Sequence, residues 1–138
     1  MDGLNIRLKA LNKALNGLKT MLNKYNSAKS APVVKDIDDI MAYRDSSIKR
    51  FELCFDLFWK SAKDYLSNQY KIEMASPKKV FQECFKQSLI NEGEAKMLLN
   101  MTDDRNTTTH LYDEITSQEM IPRIEEYYTI MVHVAKKL

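Results

Sequence analysis

Apolar residues recur at Leu4, Leu8, Leu11, Leu15, Leu18, Leu22 and Tyr25, in alternating steps of four and three. On a helix of about 3.6 residues per turn this spacing puts them on one stripe, so a helix is predicted from Leu4 to Tyr25. The same period suits a coiled-coil seam. A run of only about three heptads fits an antiparallel bundle equally well, and the bundle better suits a short chain. Ser27, Ser30 and Pro32 then interrupt the pattern. Proline disfavours helix at the residue before it, and serine hydroxyls compete for backbone hydrogen bonds. Asp36 reads as the next N-cap, with Asp39 in the first turn, where negative charge suits the helix dipole. Ile37, Ile40, Met41, Ile48, Phe51, Phe55, Phe58, Ala62 and Tyr65 carry a second, longer stripe to about Leu66.

Ser76 and Pro77 read as N-cap and first helical residue of a shorter helix bearing Val80, Phe81, Cys84 and Phe85. Asn91, Glu92 and Gly93 end or interrupt it. A fourth helix, over about residues 93–106, presents Met97, Leu98 and Met101. A fifth begins near Ser117 and carries Ile121, Ile124, Tyr128, Met131, Val132 and Val134, with Pro122 tolerated because it falls in the first turns. The fold class predicted is all-α: an antiparallel up-and-down bundle of about five helices, in one domain over residues 1–138. With only three glycines and three prolines, the chain has little of the turn chemistry that a many-stranded sheet requires.

Composition adds that the chain folds around one core: 44% of residues are hydrophobic and 29% charged over 138 residues. No apolar run approaches the roughly 18 residues of a membrane span, and the N-terminus lacks the layout of a signal peptide, so a cytoplasmic protein is expected. Cys54 and Cys84 sit among Phe51, Phe55, Phe81 and Phe85 and read as core thiols, with a disulfide the lesser alternative in that compartment. Phe51, Phe55, Phe58 and Trp59 read as core or dimer seam, and His133 as a half-buried packing or interface residue. Lys78 and Lys79 open the third helix and read as a solvated pair, with contact to RNA or a partner the lesser alternative. A net charge of +2 neither demands nor forbids nucleic acid, because phosphate binding needs a clustered basic face.

One segment does not read as packing. Asp103, Asp104, Arg105, Asn106, Thr107, Thr108, Thr109, His110, Leu111, Tyr112, Asp113 and Glu114 are polar or titratable at nearly every position. Threonine is a mediocre helix former, yet its hydroxyl can bond to a carbonyl one turn back, which would let the fourth helix persist through this run. In a continuous helix Asn106 and His110 share a face, Arg105 and Tyr112 are almost eclipsed, and Arg105 and His110 diverge by about 140°. Two copies facing each other would then pool these side chains in one cleft.

An arginine followed by a polar residue, with a histidine after a gap of four, resembles the motif of the HEPN superfamily: here Arg105, Asn106 and His110. Tyr112, two positions past the histidine, with Asp103 and the Tyr112-Asp113 pair, is similar to the branch known as nucleotidyltransferase substrate-binding proteins. The resemblance extends to the helical pattern of essentially the whole chain. It implies a homodimer working with a separate minimal nucleotidyltransferase subunit, in a system of toxin–antitoxin type. It also implies a ribonuclease site needing neither metal nor cofactor. In that site His110 is general base or acid, Arg105 steadies charge on the phosphate, and Asn106 orients one or the other. Asp103, Asp104 and Thr109 are supporting polar residues. The partner transferase would attach AMP to Tyr112 and so silence the nuclease, since a bulky anion there blocks the site by charge and volume.

Other readings of the same residues stay open. Arg105 and His110 can belong to a surface ion-pair network with Asp103, Asp104, Asp113 and Glu114, of little worth to stability. Tyr112 can be an ordinary interface tyrosine. A metal site lacks a second histidine or cysteine at ligand spacing. A helical adaptor that binds a nucleotide, or the transferase, without cutting RNA is the alternative function, and a free-standing small-molecule-binding bundle a third.

Overall fold

The computed structural model describes residues 2–31, 36–108 and 114–138, excepting the side chains of 114–116. Helix α1 spans Asp2–Lys29, α2 Ile37–Tyr70, α3 Pro77–Lys86, α4 Glu92–Thr108 and α5 Glu114–Ala135, and no strand occurs among the described residues. The predicted all-α bundle is therefore the observed fold. Directions follow from the cross-helix contacts. Arg7 at the start of α1 pairs with Asp64 near the end of α2 at 2.7 Å, while Gly17 abuts Arg50. Asn26 near the end of α1 bonds Glu125 at the middle of α5 at 2.9 Å, and Lys19, earlier in α1, sits over the ring of Tyr128, later in α5. Asp104 of α4 meets Arg123 of α5, whereas Glu94 meets His133. Hence α1 runs antiparallel to both α2 and α5, and α4 antiparallel to α5.

Local chemistry sets the ends. Oδ1 of Asp36 accepts from the Asp38 amide at 2.9 Å, the N-cap predicted for α2. Asn91 and Glu94 form a reciprocal box, with the Glu94 amide donating to Asn91 Oδ1 at 2.8 Å and the Asn91 amide to Glu94 Oε1 at 2.9 Å. Asn91 thus opens α4. Helix α2 runs one turn past Leu66 and stops at Lys71, whose φ of 59° is left-handed; the Lys71 N–H donates to the Ser67 carbonyl and the Ile72 N–H to that of Leu66. No glycine marks that stop, so the sequence pattern ended the helix early.

The α1 stripe is buried at Leu4, Leu11, Leu15, Leu18, Leu22 and Tyr25. Opposite it, Phe51, Phe55 and Phe58 of α2 meet Phe81 of α3 and Tyr127 of α5: Phe58 and Phe81 centroids lie 5.8 Å apart, as do Phe51 and Tyr127. Two residues assigned to stripes face solvent instead. Phe85 is exposed because Val80, Phe81 and Cys84 occupy an arc of about 100° and Phe85 falls about 40° beyond its edge. Ile37 is exposed at the first turn of α2, ahead of the stretch that packs. His133 is also solvent-facing rather than half-buried, with Nε2 3.2 Å from Glu94 Oε2. No described helix is long and apolar enough to cross a membrane.

Cys54 and Cys84 are both buried and free, as core thiols. Burial pushes each thiol up to about 12, against the partial help that Arg50 gives the Cys54 thiolate. A folded-state value above the unfolded one means that this stability is complete below the unfolded pKa of 9.0 and is lost as pH rises towards about 12. Urea midpoints are therefore expected to fall between about pH 8.5 and about pH 11, less so in Cys54→Ala corrected for its own stability. Native protein should resist iodoacetamide at neutral pH, with both thiols labelling once urea is added; fast native labelling would contradict the burial.

Gly17 interrupts α1 where Arg50 crosses it: a Cβ there would meet Nη1 of Arg50 at 2.7 Å. The obstacle is the far end of a long, exposed side chain, which can shift, whereas the helix gains about 0.5–1 kcal/mol from replacing glycine by alanine. Gly17→Ala should raise stability by about 0.5 kcal/mol in urea unfolding, and a loss would mean that the Arg50 placement is rigid.

Candidate functional site

The polar end of α4 is described as far as Thr108. Thr102 Oγ1 donates to the Leu98 carbonyl at 2.9 Å, Thr107 Oγ1 to that of Asp103 at 3.1 Å and Thr108 Oγ1 to that of Arg105 at 2.8 Å. These back-bonds are those anticipated for a threonine run, and they carry the helix two residues past the predicted end. Asp103, Asp104, Arg105 and Asn106 all lie on its last two turns. Thr109, His110 and Tyr112 lie outside the described residues, as does Asp113.

Consecutive residues here point to different neighbours. Asp103 pairs with Lys78 at the start of α3, 2.7 Å away, so Lys78 is not simply solvated. Asp104 turns to α5: Oδ1 accepts from Arg123 Nη1 at 3.1 Å and Oδ2 from the Tyr127 hydroxyl. Burial, then the hydrogen bond and charge of Asp104, push the Tyr127 phenol well above its ordinary value. Arg105 turns to α2: Nη1 donates to Glu52 Oε2 at 2.9 Å, and Nη2 lies 3.5 Å from Asp56 Oδ2. Asn106 is exposed.

The structure thus brings Arg105 together with two carboxylates that sequence reasoning missed. Of the acidic neighbours expected to pair with Arg105, Asp103 and Asp104 pair with Lys78 and Arg123, while the Asp113 and Glu114 side chains lie outside the described residues. Glu52 and Asp56 are four apart and share a face of α2, but nothing in the sequence ties that face to residue 105. Tyr127 and Arg123 were equally hidden, since the fifth helix advertises only its apolar stripe.

Chemically, a guanidinium held on one side by a mostly buried carboxylate is aimed, and its planar fork can take two phosphate oxygens. Among the described residues no three His, Cys, Asp or Glu side chains are grouped to hold a metal ion. The α4–α5 tie is open to test. Tyr127→Phe keeps the ring on Phe51 but removes the bond to a charged acceptor, and should cost about 1.5–3 kcal/mol in urea unfolding. A change below about 0.5 kcal/mol would show that Arg123 suffices to hold Asp104.

Known proteins share the fold that carries this segment. The family model described as nucleotidyltransferase substrate binding protein like matches residues 6–138. No curated protein matches the chain in sequence. Among solved structures, one from Thermus thermophilus is 31% identical with a TM-score of 0.75, covering 90% of this chain and 94% of that one. The Shewanella oneidensis HEPN toxin, solved tri-AMPylated and in complex with its MNT antitoxin, has a TM-score of 0.76 at 14% identity, covering 99% and 96%. A toxin–antitoxin structure of MntA–HpeT, carrying a tyrosine-to-alanine substitution, has a TM-score of 0.59 at 13% identity, covering 94% and 98%. The last two share the fold, and the family match over residues 6–138 shows that this chain belongs to the nucleotidyltransferase substrate binding protein like family.

Proposed function

We propose that this protein is the HEPN subunit of a two-component, toxin–antitoxin-like system, a metal-independent ribonuclease restrained by a separate nucleotidyltransferase. The observation that carries this reading is the anchored Arg105, fixed by Glu52 at the end of α4 just before the segment that bears His110 and Tyr112. An aimed guanidinium is what charge development on a phosphate calls for. His110 takes the proton of a ribose 2′-hydroxyl, whose oxygen attacks the adjacent phosphorus. The 5′-oxygen leaves with a proton, and a 2′,3′-cyclic phosphate remains. Asn106 orients the imidazole or the phosphate, with Asp103, Asp104 and Thr109 as polar support. Two copies form a homodimer that pools their Arg105 and His110 side chains in one cleft, in the cytoplasm where RNA is met.

The AMPylated Shewanella toxin and the tyrosine-substituted MntA–HpeT pair support extending the partner and the modification to this chain. The transferase would bring ATP to Tyr112, whose hydroxyl oxygen bonds the α-phosphorus as pyrophosphate leaves. The non-cleaving adaptor has one observation in its favour: Arg105 already has carboxylate partners in the unbound protein.

Cleavage of total RNA and tRNA in excess chelator separates the two. Wild type should cut and leave 2′,3′-cyclic phosphate ends, while His110→Ala and Arg105→Ala, with unchanged helicity, should each lose about 10²–10⁴ of the rate. Absence of cleavage by protein whose mass shows it unmodified would leave the adaptor. Incubation with ATP and the partner transferase should add AMP mass to wild type and none to Tyr112→Phe; equal addition to both would move the modification elsewhere.

A further inference from the structure

The two carboxylates facing Arg105 are not equivalent. Glu52 bonds Nη1 at 2.9 Å and is only 12% exposed, with its other oxygen 3.5 Å from Lys49 Nζ. Asp56 stands 3.5 Å from Nη2 and is 46% exposed. Arg105 itself is 20% exposed, between the values for the two carboxylates. We propose that Glu52 is a positioning residue that holds the guanidinium, whereas Asp56 is an internal competitor that a substrate phosphate must displace from Nη2.

The argument is one of chemistry and burial. A guanidinium offers its donors in a rigid fork, so two anions can address its two terminal nitrogens at once. A bond made largely out of water and backed by a second cation is hard to exchange, because breaking it strands a buried charge. A longer, half-exposed pair is weak and readily screened. An arriving phosphate therefore exchanges with Asp56 and leaves Glu52 in place. In the unbound protein the same carboxylate lowers the attraction of the site for stray anions, so phosphate binding is set below its attainable strength. This rests on the ribonuclease reading for the identity of the phosphate, and its test does not require cleavage.

The probe is a fluorescein-labelled, fully 2′-O-methylated single-stranded RNA, which keeps its phosphates but lacks the hydroxyl that cleavage needs; its Kd is read by anisotropy at fixed salt. Asp56→Asn should bind about twofold to fivefold more tightly than wild type, the range of a weak exposed pair. In the Arg105→Ala background the same substitution should gain nothing, since the competitor acts only through that side chain. Glu52→Ala should abolish the Asp56→Asn gain by releasing the guanidinium, and Glu52→Gln, which still offers an oxygen acceptor, should restore part of it. Equal binding by wild type and Asp56→Asn, or a gain that survives Arg105→Ala, overturns the proposal, the latter by exposing a general charge effect. If wild type cuts no RNA yet the Arg105-dependent gain is present, the competitor stands and the ribonuclease reading falls.

Discussion

A closed ring of contacts ties three helices together, and the polar end of α4 depends on it. The Phe51 ring of α2 stacks on Tyr127 of α5, whose hydroxyl donates to Asp104 of α4. The next residue, Arg105, returns to α2 through Glu52, the residue after Phe51. Two sequence-adjacent pairs, Phe51-Glu52 and Asp104-Arg105, thus close the ring through one aromatic contact and two charged hydrogen bonds. Each link constrains the next: rotating α2 enough to free Glu52 would pull Phe51 out of the core. The apolar packing that stabilises the bundle therefore also fixes the polar geometry.

Helix α2 can serve in this way because it packs against all four other helices. Its aromatic stripe receives α1, α3 and α5, and the edge beside that stripe carries Glu52 and Asp56. Most of the burial belongs to the stripe, where fully buried phenylalanines contribute most. The edge adds little net stability, because the half-exposed Asp56 pair is worth about 0–1 kcal/mol and the attraction in the more buried Glu52 pair is offset by desolvation. Its contribution is to direction: it decides which way the guanidinium points.

That division explains why ionic contacts gather around α4. Asp103 reaches α3, Asp104 reaches α5 and Arg105 reaches α2, so successive side chains, turned about 100° from one another, each find a different neighbour. A helix end held on three sides gives the segment that follows, with His110 and Tyr112, a fixed point of departure. Under the ribonuclease reading proposed above, such preorganisation would serve catalysis, because a donor already in place need not reorganise as charge develops.

The periodicity of apolar residues by itself determined the number of helices, their order and most of the buried set, because a stripe at helical spacing has few ways to leave water. The Asp36 cap was legible for a related reason, since capping is local chemistry, and so was Pro77 as a first helical residue, although Ser76 holds the N-cap position without a side-chain cap bond. The run of polar and titratable residues from Asp103 to Glu114 also stood out in the sequence, because it breaks the apolar periodicity of the helices on either side. What the tertiary structure alone decided is which charge meets which. Glu52 and Asp56 lie about fifty residues before Arg105, and Tyr127 more than twenty after Asp104, so their pairing depends on how helices are rotated against one another. The solvent-facing Phe85 and His133 follow from the same cause, for a residue near the edge of a stripe is buried or exposed according to where the neighbouring helix ends up. Hydrophobic periodicity is written along one helix, whereas an ion pair across a bundle is written only in the packing of two.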